Sequence, residues 1–146
     1  MSLNPRILTM VQSWRVAGFV FLVLAAHGVL PSVFALPAGW GDIAIGATAS
    51  FVALKRASPD HRKIFVLWQV LGIADLVTAV TLGTLARVID PHGIPTNAMT
   101  VLPLSLIPTF AVPLLLILHV ICIVQAIRWP VRQRSTMGEH LHSPAA

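Results

Sequence analysis

In a chain of 146 residues, 56% are apolar and 10% are charged, and the mean hydropathy is +0.83; this balance excludes a water-soluble globular domain. The net charge of +5 suits insertion beside anionic lipid, and nothing else in the chain supports a nucleic-acid partner. Cys122 is the single cysteine, so an intramolecular disulfide is excluded.

The first apolar stretch, residues 16–35, follows Arg6 and Arg15 and carries His27. It reads as a retained span, because no short apolar region ends at a small-x-small site before a polar mature sequence. A short turn with Pro31 and Pro37 leads into the second stretch, 38–54, which holds Asp42 and is short for a span. Lys55, Arg56, Arg62 and Lys63 fill the next connection.

The third stretch, 64–86, holds Asp75 on a stripe of small residues, Gly72, Ala79, Gly83 and Ala86, and Asp42 has a similar stripe in Gly46, Ser50 and Ala53. Small stripes let membrane helices approach closely, so both acids are expected to face neighbouring helices. A short outer connection with Asp90, Pro91, His92 and Pro95 leads to the fourth stretch, 101–127, which holds His119 and is longer than a span requires. Pro108 and Pro113 interrupt its outer half and would free the carbonyls of Leu104 and Thr109. Such a broken helix needs a hydroxyl, a water or a cation as partner, and in transporters it often lines a substrate or ion site. Residues 131–146 read as a flexible basic and polar cytoplasmic tail in which His140 and His142 could chelate a metal.

These elements predict an all-α fold, a four-helix transmembrane bundle formed by residues 1–130. Nine of the ten Lys and Arg residues lie before the first stretch, between the second and third, or after the fourth, leaving Arg87 alone on the other side. The positive-inside rule then puts both termini in the cytoplasm of a bacterial inner membrane. Trp14, Trp68 and Trp129 read as one aromatic belt and Trp40 as the other.

Counting inward from Arg15, Lys55, Lys63 and Arg128 sets His27, Asp42, Asp75 and His119 between 9 and 13 residues deep. That is roughly 13 to 20 Å into an apolar core. A shared layer of two imidazoles and two carboxylates predicts one intramembrane site, since ionisable groups at that depth are costly and often functional. It supports a proton or ion relay in a carrier or pathway subunit. Other chemistry open to the same groups is a Zn, Fe or Mn site, or a haem held by His27 and His119. An accessory or scaffold subunit whose polar residues lock helix packing is the alternative. The expected partners are lipid and a second copy or another membrane subunit. No CxxC, phosphate loop, Ser-His-Asp order or HExxH is present, which points away from an enzyme.

The segments FALPAGWGD (Phe34 to Asp42), WQVLGIADLVTAVTLG (Trp68 to Gly83) and PLSLIPTFAVPLLLILH (Pro103 to His119) resemble those of a family of uncharacterised bacterial multi-pass integral membrane proteins. The resemblance runs from about Trp14 to Arg128. It implies a helical bundle in a membrane and carries over no catalytic residue.

Overall fold

A computed structural model describes residues 4–129, all in helices, turns and loops. Four helices follow one another: α1 (Pro5–Ala26), α2 (Ser32–Lys55), α3 (Arg62–Ile89) and α4 (Ile107–Ile127). The expected tail, with His140 and His142, lies outside the described residues.

Helix α1 begins well before the apolar stretch, because Asn-Pro supplies a start signal. Asn4 Oδ1 accepts the Arg6 amide at 2.9 Å, and Pro5 occupies the first turn, where a missing N–H costs nothing. Arg15, expected at the membrane edge, is therefore in the middle of the helix. The segment Gln12–Gly18 is wound as a 3-10 helix. With three residues per turn, positions three apart stay on one line, whereas on an α-helix they drift. Thr9, Gln12, Arg15 and Gly18 follow that spacing, and all four are buried.

Gly28 turns the chain with a positive φ of 68°, and α2 then starts at Ser32, so Pro37 lies inside the helix and not in the turn. Asp42 is consequently mid-helix and not a helix cap. The fourth helix is shorter than the apolar stretch, since 101–105 form a bend and a turn. Its first turn, Ile107–Ala111, is a π-helix in which the Val112 amide reaches Ile107 O. The wide turn accommodates Pro113, which has no N–H to give. Leu104 O accepts the Ile107 amide at 3.0 Å and Thr109 Oγ1 bonds Ser105 O at 2.6 Å, so the Leu104 carbonyl and the Thr109 hydroxyl are satisfied locally.

Three helices, α1, α4 and the run Pro59–Ile89 that contains α3, are long and apolar enough to cross a membrane. Helix α2 is more polar, and it packs between α1 and α3 through Ala35, Ala38, Ala49 and Ala53. Helix α4 packs on α3 and closes on α1 chiefly along Pro5–Val11. The polarity is inverted relative to a soluble protein. Trp40, Phe51, Leu67, Val88, Phe110 and Ile117 are exposed, while Thr9, Gln12, Arg15, Gln69 and His119 are buried. Lipid in place of water as the surrounding solvent accounts for both halves of that pattern.

Close approach requires glycine at specific places. A Cβ at Gly46 would strike the Arg15–Val16 backbone, and one at Gly72 would overlap the His119 ring. Gly46 thus brings α1 against α2, and Gly72 lets an imidazole from α4 lie on the backbone of α3.

A charged centre on four helices

Arg15, Asp42, Asp75 and His119 each occupy the central part of a different helix, and the guanidinium joins them. Arg15 Nε donates to Asp42 Oδ1 at 2.6 Å, Nη2 donates to Asp75 Oδ2, and Nη1 faces His119 Nε2 at 3.4 Å. A guanidinium can only donate, so His119 Nε2 accepts and the ring is neutral with its proton on Nδ1. That proton goes to Gln69 Oε1. Gln69 Nε2 then donates to Thr9 Oγ1 at 3.1 Å, and Thr9 donates to Pro5 O at 2.8 Å. Four hydrogen bonds therefore run in one direction from Arg15 to the N-terminal turn of α1. Gln12 Oε1, on the same stripe, is buried with no partner among the described residues.

Formal charge does not balance at this centre. One guanidinium meets two carboxylates, so with both acids ionised and His119 neutral the group carries one net negative charge. The Arg15 side chain is 1% exposed, while Asp42 and Asp75 keep 19% and 15%. The guanidinium is more deeply buried than either acid, and Asp42 borders open space.

That space lies toward the end of the bundle formed by the turn at Gly28 and the 90–106 connection. A cavity of ≈ 210 Å³ is bounded by Phe21, Phe34, Asp42, Leu76, Met99 and Ile107. A second, of ≈ 180 Å³, runs between Trp14, Ala17 and Val20 of α1 and Ala111 and Leu115 of α4, with Arg15 and Asp42 in its wall. Phe21, Asp42, Leu76, Ile107 and Val112 line both. The other half of the bundle is filled by Phe65, Trp68, Ile45, Val52, Leu8 and Cys122.

Three of the four residues singled out in the sequence, Asp42, Asp75 and His119, meet at Arg15. His27 does not join them: it is exposed at the end of α1, with Nδ1 on Val23 O at 2.8 Å. Its depth was counted from Arg15, and that origin moves once Arg15 is mid-helix. Pro108 lines the larger cavity, whereas Thr109 and Pro113 are exposed on the π-turn and its edge. Trp68 is a core residue and not a belt residue, donating Nε1–H to Thr48 Oγ1 at 2.9 Å with its ring 5.8 Å from His119. Trp14 is exposed beside Arg15, away from the helix end.

Arg15, Gln69, Gln12 and Thr9 are the site residues the sequence reading missed. A polar stripe at strict three-residue spacing after an Asn-Pro start was the available signal.

Among the described residues no group of three or more His, Cys, Asp or Glu side chains is arranged to hold a metal ion. A fixed guanidinium occupies the place between the carboxylates that a cation would need. Both nitrogens of His119 are engaged and His27 lies at the helix end, so these two do not form an axial haem pair.

No curated protein and no solved structure matches the chain. A family described as Domain of unknown function (DUF8737) matches residues 3–127, and the chain belongs to that family.

Proposed function

We propose that this is a four-span protein of a bacterial inner membrane, with both ends in the cytoplasm, whose mid-helix centre carries a proton or small ion as a subunit of a carrier or pathway. The observation that carries this reading is the unequal exposure of a charge-unbalanced group, in which two carboxylates share one buried guanidinium, both are more exposed than it is, and Asp42 borders open space. A proton or cation can cancel the surplus charge, and its arrival and departure change the electrostatics of four helices at once. Arg6, Lys55, Arg56, Arg62, Lys63 and Arg128 gather at one end of the bundle, which supports the orientation without counting Arg15. Four helices leave little room for a closed path, so a second copy or another membrane subunit completes it.

The competing reading is a scaffold in which Arg15 serves only to tie the helices together, and it is favoured by the engagement of all three guanidinium nitrogens. Reconstitution separates the two. In proteoliposomes under an imposed pH gradient, the wild type should carry protons. Asp75→Asn should melt in detergent close to the wild type yet lose that flux, because the amide keeps the shape and the hydrogen bonding. Asp75→Leu should lose about 1–2 kcal/mol of stability as well. Undiminished flux through Asp75→Asn would remove Asp75 as a proton carrier, and a wild type without flux would favour the scaffold.

A further inference from the structure

We infer that the paired cavities beside Asp42 bind a small apolar monocation of the quaternary alkylammonium class, entering between α1 and α4. This deepens the carrier reading and rests on its charge balance, since the ligand would take the place of the proton that cancels the surplus carboxylate.

Three observations converge on that chemistry. The cavity walls are apolar apart from a few hydroxyls and the ions of the centre, and Asp42 belongs to both cavities. Asp42 is the one charged residue lining both cavities; Arg15 borders only the smaller one, with its guanidinium turned to the acids and its side chain 1% exposed. The larger cavity is walled by Phe21 and Phe34, packed edge to face with centroids 5.6 Å apart. A carboxylate combined with aromatic rings is a recurrent way to hold an alkylammonium, through charge and through the ring quadrupole. An anion would meet a net negative centre, and a neutral apolar molecule would leave that charge uncancelled.

The route follows from the packing. Helix α4 meets α1 along Pro5–Val11, and beyond that contact the smaller cavity separates Trp14, Ala17 and Val20 from Ala111 and Leu115. Trp14 is 52% exposed on that side. An amphipathic cation dissolved in the bilayer can pass from the lipid face to Asp42 without crossing the filled half of the bundle. The charged and titratable groups facing Asp42 from the four helices are Arg15, Asp75 and His119, so protons compete with the ligand for the same surplus charge.

The test is equilibrium binding to the detergent-purified full chain, with empty micelles subtracted, of phenyltrimethylammonium and of its uncharged isostere tert-butylbenzene. The cation should bind saturably, at least about tenfold more tightly than the isostere, and lose that advantage in Asp42→Asn. Phe21→Leu should weaken the cation more than the isostere. Equal binding of the two probes, or cation binding unchanged in a folded Asp42→Asn, overturns the proposal. Should Asp42→Asn not fold, the wild-type comparison together with Phe21→Leu decides it. Cation binding without pH-driven flux would remove the carrier and leave the site, whereas flux with no preference for the cation would remove the site and leave the carrier.

Discussion

Asp42, Asp75 and His119 were legible as isolated ionisable residues in apolar stretches, because each is expensive in lipid and must face something polar. Arg15 was not, because a basic residue at the start of an apolar run reads as an edge marker. His27 misled for the complementary reason: at a helix end its ring bonds a carbonyl of its own chain, which sequence depth cannot reveal. At this scale the packing around His119 is directly testable. Any side chain at Gly72 meets the imidazole ring, so Gly72→Ala should cost about 1–3 kcal/mol through displacement of His119. A Cβ at Gly83 lies 3.4 Å from Phe34, and Gly83→Ala should be close to neutral. Melting of the two variants in the same detergent checks the contrast.

Periodicity separates what could be read of the helices from what could not. Apolar stretches located all four helices, but their ends were set by local chemistry: the Asn4 cap and Pro5 for α1, Gly28 for the first turn, and Pro113 for the π-turn of α4. The 3-10 winding of Gln12–Gly18 is the element on which the centre depends, since it keeps Gln12 and Gly18 in line with Arg15, one step on from Thr9 in the α-helical turn before it. One alanine inserted after Val11 rotates Thr9 by about 100–120° relative to Arg15 and should break either the Gln69 bond or the ion pairs. Three inserted alanines nearly restore that angle, while moving Thr9 about 4.5–6 Å along the axis. The single insertion should therefore melt lower than the triple one, and the reverse order would contradict the stripe as the organising feature.

The inverted distribution of polarity was legible from composition alone, and three helices apolar enough to cross a membrane agree with it. The standing of α2 was not legible, because a helix held between neighbours needs little apolar surface of its own. Its crossing is nevertheless required if Lys55–Lys63 and the N-terminus share one side. Reporter fusions within the Lys55–Lys63 connection and near His92 should report opposite compartments, the first cytoplasmic. A non-cytoplasmic signal from the first would contradict the four-span arrangement.

Arg15 and the two carboxylates act as one electrostatic unit, and stability measured across a double-variant cycle tests that most directly. Removing one partner of a buried ion pair leaves uncompensated charge, so Arg15→Gln should lose about 3–5 kcal/mol. Adding Asp75→Asn to Arg15→Gln should recover part of that loss, because it removes one of the two carboxylates left without the guanidinium. Melting of the two single variants and the double variant in one detergent gives the result. Losses that simply add, or an Arg15→Gln variant as stable as the wild type, would contradict a shared charged centre.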